Sequence, residues 1–123
     1  GHVNSCGRYK NHHSGIGGLA SIWRGLMRGG VGYLCLKSTY TDFEGKPQSA
    51  IRPFLPEGST VSLIGPDLMG GRDGARFFLA TEHGVVQLNG KSQGEFIKAL
   101  ISVAHPDFRS WLAEEAYKEF RVR

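Results

Sequence analysis

Arg76-Phe77-Phe78-Leu79-Ala80-Thr81-Glu82-His83-Gly84-Val85-Val86-Gln87-Leu88 is the stretch whose reading decides the fold. Arg76 to Thr81 reads as a strand, short and dominated by aromatic and apolar side chains, and Val85 to Leu88 as a second, shorter one. Just downstream, Ser92 and Glu95 have the spacing of a capping box, the mark of a helix start. The helix they open carries Phe96, Ile97, Leu100, Ile101 and Ala104 on one face. His105-Pro106 interrupts it, because the residue before a proline disfavours helical backbone. A last helix runs from Pro106 to about Phe120, with Phe108, Trp111, Leu112, Glu115 and Ala116 in amphipathic order and Glu114, Glu115, Lys118 and Arg121 on a solvated face.

Upstream, Leu19, Ile22, Trp23, Leu26 and Met27 fall at helical spacing, and Gly29-Gly30 ends that helix. Val31 to Leu36 reads as a buried strand, with Cys35 packing as a small hydrophobe. Ser38 to Gln48 reads as a polar loop, Ser49 to Leu55 as an irregular or edge strand because of Pro53, Thr60 to Ile64 as a further strand, and Gly65 to Arg76 as a glycine-rich loop. Strands interleaved with helices in one chain of 123 residues make a single α/β domain.

Composition narrows the function classes. Charged residues are 21% and hydrophobic ones 40%, as in an ordinary folded domain. The net charge of +4 favours an anionic partner, but the basic residues are scattered, so nucleic-acid binding has no specific support. No apolar stretch approaches 18 residues, so no membrane-spanning helix is expected. Two cysteines make no disulfide framework, and a reducing cytoplasm fits. The 18 glycines are about twice the usual share of roughly 7% and cluster at Gly15–Gly18, Gly29–Gly32 and Gly70–Gly74. Such clusters mark turns and places where something approaches the backbone closely.

Several groups could carry chemistry. Gly15-x-Gly17-x-x-Ala20 before a helix has the form of a phosphate-cradling turn, in which glycines admit the ligand and the helix N-terminus offers N–H groups to an anion. It reads equally as a structural tight turn, since Asn11-His12-His13 rather than an apolar strand precedes it. His12 and His13, with His2 and Cys6, lack the second ligand pair of a zinc site, so no metal is expected. Glu82 at a strand end is a general base, a nucleophile, or a group that holds a loop through backbone N–H groups, the last being favoured. Ser14, Ser38 and Ser92 have no nucleophile elbow.

Ordered blocks then point to a family. Thr81-Glu82-His83-Gly84-Val85, Gly90-Lys91-Ser92 and Ala104-His105-Pro106-Asp107-Phe108-Arg109 closely resemble the end of the acetyl-CoA hydrolase/transferase family. Gly1-His2-Val3-Asn4, Ser14-Gly15-Ile16-Gly17-Gly18, Arg24-Gly25, Ser38-Thr39, Ile51-x-Pro53-x-Leu55 and Gly58 resemble its earlier segments, so the likeness runs along the whole chain. The resemblance implies an open, mostly parallel sheet flanked by helices, of the NagB/RpiA/CoA-transferase-like type. It implies that residues 1–123 are the C-terminal domain of a longer two-domain, homo-oligomeric enzyme with acyl-CoA bound between domains.

In such enzymes a glutamate attacks the thioester carbonyl to form an acyl-glutamyl anhydride, CoA thiolate returns to give a glutamyl-CoA thioester, and an acceptor carboxylate or water takes over. The resemblance places that glutamate upstream of Asn4, so the isolated chain is expected to be inactive. Asn4 matches the family's active-site asparagine, Gly15, Gly17 and Gly18 its CoA-lining loop, and Gly45 the glycine near the reacting centre. Acyl-CoA and a small carboxylate are the implied reactants, with no permanently bound cofactor. Leu19, Ser21, Ile22 and His83 depart from the family pattern, and the departures at Leu19 and Ser21 motivate an alternative: a diverged, non-catalytic CoA-binding regulatory module.

Overall fold

A computed structural model describes residues 1–8, 11–63 and 74–123. A short antiparallel pair, β1 (Gly7–Arg8) and β2 (Asn11–His12), precedes helix α1 (Leu19–Leu26) and strand β3 (Val31–Cys35). The strands β4 (Thr39–Thr41) and β5 (Pro47–Ser49) form a hairpin. Strands β6 (Arg76–Thr81) and β7 (Gly84–Gln87) lead to helices α2 (Gln93–Ser102) and α3 (Pro106–Phe120).

The central sheet has the order β3-β6-β7. β3 and β6 run parallel, from Val31 beside Arg76 to Cys35 beside Ala80, whereas β6 and β7 are antiparallel, with Thr81 opposite Gly84. The α/β class is therefore met, but this sheet is mixed rather than mostly parallel. The cause is local: only Glu82 and His83 separate β6 from β7, and a two-residue connection can join antiparallel strands alone.

Alternation sets the core. Phe77 and Leu79 of β6 are buried, and Trp23 of α1 stacks on Phe77 with ring centroids 4.3 Å apart. Leu88, Phe96 of α2, Val103 and Leu112 of α3 join the same cluster. Gly32 lies where α1 crosses β3, and a Cβ there would collide with Leu26. Both C-terminal helices begin as expected. Ser92 accepts from the Glu95 N–H and the Glu95 carboxylate accepts from the Ser92 N–H, completing the capping box. His105 Nδ1 accepts from the Asp107 N–H at 3.3 Å, with Pro106 in the first turn of α3.

Several expectations change. The polar stretch 38–48 contains the β4–β5 hairpin. The strand expected at Ser49–Leu55 does not form beyond Ser49, because Ser49 Oγ donates to the Ile51 carbonyl and Arg52 Nε to the Ser49 carbonyl, turning the chain out of line. In the segment expected as a strand from Thr60, the described residues show a bridge between Val3 and Leu63 and a bond from the Thr60 N–H to the Gly7 carbonyl rather than a continuous ladder. The end of that segment and most of the glycine-rich loop, residues 64–73, lie outside the described residues. Cys35 is exposed rather than packed, and Cys6 is the buried cysteine.

Asn89 fastens the start of β6. Its side chain is buried, accepts from the Phe77 N–H at 2.8 Å and donates to the Ala75 carbonyl at 2.8 Å. Replacing it by alanine strands both backbone groups in the core, at about 1–3 kcal/mol for each unsatisfied group. Asn89→Ala is therefore expected to lower unfolding free energy by about 3 kcal/mol in urea denaturation; a loss below about 0.5 kcal/mol, the range of neutral surface changes, would refute this role.

Candidate functional site

Parallel strands bring their carboxyl ends to one side of a sheet, and ligands of α/β folds bind beyond those ends. Here the carboxyl ends of β3 and β6 frame a shallow concavity of about 460 Å³ lined by Cys35, Leu36, Lys37, Ala80, Thr81 and Glu82. Glu82 at its rim is fully engaged with the opposite strand end. Ser38 Oγ donates to Oε1 at 2.6 Å, and the Ser38 N–H reaches Oε1 at 3.2 Å and Oε2 at 3.0 Å.

Chiefly the Ser38 hydroxyl, then backbone N–H groups, hold the Glu82 carboxyl down at about 2. Such a group is a fixed anion at neutral pH, too acidic for general acid or base work. Glu82 thus holds the loop after β3. His83 beside it is half-buried. Its Nε2 atom is buried without a hydrogen-bond partner among the described residues, 3.8 Å from Glu82 Oε1, and its ring meets His105 edge-on at 5.0 Å. Thr81 Oγ1 ties the same turn to the α2–α3 junction by donating to the Val103 carbonyl at 2.7 Å.

From Ser38 the chain enters the β4–β5 hairpin that carries Gly45. Asp42 organises its tip: Oδ1 accepts from the N–H groups of Glu44 and Lys46, and Oδ2 from Gln48 Nε2. Gly45 has φ +78°, a left-handed turn conformation that other residues adopt only with strain. The turn alone accounts for a glycine here.

Asn4 sits at the N-terminal end. Its Oδ1 accepts from the N–H groups of Cys6 at 2.9 Å and Gly7 at 3.0 Å, while Nδ2 donates to the Gly7 carbonyl at 3.2 Å. The second Nδ2 hydrogen has no acceptor among the described residues. The loop is fixed to the 62–63 segment by the Val3–Leu63 bridge and a 2.7 Å bond between the Ser5 and Ser62 hydroxyls.

The Gly15–Gly18 segment is exposed and leads into α1. Among the described residues nothing lies within 4 Å of a Cβ built on Gly15 or Gly17, and Gly17 has φ +58°. Gly18 is the N-cap, no side chain caps the helix and no acidic residue occupies its first turn. Among the described residues no side chain takes the first N–H groups of α1, and the N-terminal end of a helix carries partial positive charge. Leu19 packs against the core, while Ser21 and Ile22 lie exposed.

No hydrogen bond among the described residues joins Asn4, the Gly15–Gly18 segment and Gly45 to one another; each is held by its own local bonds. His2, Cys6, His12 and His13 form no metal-holding cluster, and no such group of three exists among the described residues. No helix there is long and apolar enough to cross a membrane. Sequence reasoning missed Ser38 as the partner of Glu82, and the only available signal was that each follows an apolar strand.

Comparison with known proteins covers nearly the same span. The family model for the acetyl-CoA hydrolase/transferase C-terminal domain matches residues 1–116. The butyryl-CoA:acetate CoA-transferase of Anaerostipes caccae is 38% identical over 107 residues, 85% of this chain and 22% of that protein. The 4-hydroxybutyrate coenzyme A transferase of Clostridium kluyveri is 34% identical over 110 residues, 87% of this chain and 23% of its own length. The crystal structure of RipA from Yersinia pestis matches with a TM-score of 0.61 at 30% identity, over 87% of this chain and 22% of that one. The chain thus spans about a fifth of the length of the relatives it matches. It belongs to the acetyl-CoA hydrolase/transferase C-terminal domain family.

Proposed function

We propose that residues 1–123 are the C-terminal domain of an enzyme that moves CoA from an acyl group to a small carboxylate, or to water, through a glutamyl-CoA thioester. The nucleophilic glutamate lies in a part of the enzyme outside this chain. The observation that carries this reading is the open, uncapped start of α1 behind Gly15, Gly17 and Gly18, in a chain of this family. A diphosphate-bearing ligand such as CoA suits exposed glycines and free helix N–H groups.

Each addition to a thioester or anhydride carbonyl builds an oxyanion, which prearranged donors stabilise. Asn4 has one Nδ2 hydrogen to offer, and its Oδ1 is already committed to the backbone. Gly45, on the hairpin anchored at Ser38, is the further candidate at the reacting centre, by admitting the substrate rather than as a donor, since its N–H is spent on the Asp42 carbonyl. Glu82 is the positioning residue of that hairpin rather than the nucleophile, since both of its oxygens hold Ser38.

The test is an assay of the full-length enzyme with several acyl-CoA donors, with and without acetate, following free thiol and new thioester. New thioester dependent on acetate is expected, and the 123-residue chain alone is expected to be inactive. CoA binding without turnover of any donor would favour the non-catalytic module. Asn4→Asp keeps the acceptor of the Cys6 and Gly7 N–H groups and removes the donor, the bond to the Gly7 carbonyl included, so turnover is expected to fall roughly 10²-fold, with an unchanged denaturation midpoint separating this from loss of the loop. Wild-type turnover in that variant removes Asn4 from the chemistry.

Glu82 gives a pH prediction. Its folded pKa of about 2 lies below the ordinary 4.5, so its stabilisation is complete above the ordinary value and is lost as pH falls towards 2. Glu82→Gln is expected to be less stable than wild type at pH 7 and to lose less on acidification from pH 5 to 2, as read by denaturant midpoints. It should leave any inflection of the pH–rate profile between pH 5 and 9 unmoved, and a shifted inflection would restore Glu82 as an acid–base group.

A further inference from the structure

Phe43 is the most exposed large apolar side chain among the described residues, at 96%. It stands at the tip of the β4–β5 hairpin, between Asp42 and Glu44 and two positions before Gly45. Turn chemistry accounts for its neighbours: the Asp42 carboxylate collects the Glu44 and Lys46 N–H groups, and Gly45 takes the left-handed conformation. It does not account for a phenyl ring, which such a turn neither needs nor shelters.

The hairpin that carries the ring is braced from base to tip. At the base the Ala50 N–H donates to the Ser38 carbonyl at 2.8 Å, beside the Glu82 clamp. Further out, Arg52 Nη2 donates to the Tyr40 hydroxyl at 2.6 Å and to Gln48 Oε1 at 3.1 Å, and Gln48 Nε2 donates to Asp42 Oδ2 at 2.9 Å. At the tip the Asp42 N–H donates to the Lys46 carbonyl at 2.9 Å and the Gly45 N–H to the Asp42 carbonyl at 3.1 Å. Lys46 and Glu44 pair with each other at 2.7 Å, so the charges of the tip are engaged and the ring is its apolar end. An apolar ring held in water on a fixed support gains free energy from any apolar surface that covers it, and little ordering entropy is lost when that happens.

We propose that the Phe43 ring packs against the acyl chain of the CoA thioester and makes the enzyme favour donors with an apolar acyl group of several carbons over acetyl or hydroxylated ones. This rests on the proposed function, in which Gly45 admits the substrate at the reacting centre. Two residues span at most about 7 Å, so the ring is carried within a side chain's length of the thioester carbon. The acyl chain begins at that carbon, whereas the adenine and diphosphate of CoA lie a whole pantetheine arm away. A phenyl ring gives a hydroxylated acyl group no hydrogen-bond partner, but it buries methylenes, each worth about fourfold in binding.

The test compares kcat/KM of the full-length enzyme for butyryl-CoA and acetyl-CoA, with propionate as the common acceptor and propionyl-CoA as the product followed. Wild type is expected to prefer butyryl-CoA. Phe43→Ala is expected to lower kcat/KM about tenfold for butyryl-CoA and no more than about threefold for acetyl-CoA. Phe43→Leu, which keeps apolar bulk, is expected to retain most of the preference, and neither variant to shift the denaturant midpoint. An equal loss on both donors assigns the ring to the arm that all donors share, and overturns the proposal. A lowered midpoint with the donor ratio unmoved assigns the ring to packing within the enzyme, and also overturns it. Transfer by wild type with a donor ratio that Phe43→Ala leaves unmoved removes the role of Phe43 alone, whereas no transfer by wild type from either donor removes the proposed function and this role with it.

Discussion

Five residues of β3 lie alongside five of β6, pointing the same way, and this parallel pairing governs the positions of the segments around it. It brings together two chain segments 44 residues apart, so that Glu82 at the end of β6 meets the backbone and hydroxyl of Ser38 just past β3. A carboxylate receiving three donor contacts is a strong, directional clamp. It sets where the β4–β5 hairpin leaves the sheet. On its other side, the two-residue turn after β6 forces β7 to reverse, and Thr81 then reaches the Val103 carbonyl where α2 gives way to α3. One pairing thus fixes the hairpin, the mixed sheet and the seat of the C-terminal helices.

What is legible in the sequence is decided locally. The Ser92–Glu95 capping box, the proline that opens α3 and the apolar run of β6 each carry their cause within a few residues, and each element forms where it is expected. The hairpin at 39–49 reads as loop because its support comes from Asp42 side-chain bonds rather than from an apolar pattern. The strand expected after Ser49 fails because Ser49 and Arg52 bond the neighbouring carbonyls and bend the chain. Cys35 misleads for a different reason. An apolar run looks buried in sequence, but among the described residues β3 lies at the edge of its sheet and its odd residues face outward. The candidate site is legible in part: its glycines and asparagine stand out as ordered blocks, while the Glu82–Ser38 clamp is a long-range contact that no local pattern announces.

The residues singled out for chemistry are nearly all spoken for structurally, and this bears on how the proposed enzyme divides its labour. Glu82 has both oxygens bound and Asn4 has its carbonyl oxygen bound, so neither is a free base or nucleophile. Among the described residues, the donors without an acceptor are an Nδ2 hydrogen on Asn4 and the first N–H groups of α1 behind an exposed glycine segment, whereas the N–H groups at the hairpin tip are spent on Asp42 and Lys46. Donors held in place by other bonds need no reorganisation when negative charge develops on a substrate, which is where electrostatic stabilisation is most effective. A mobile nucleophile needs the opposite, an unencumbered carboxylate that can approach a carbonyl and leave it again. Under the function proposed above, fixed donors on this domain and a nucleophile carried elsewhere in the enzyme would meet both demands.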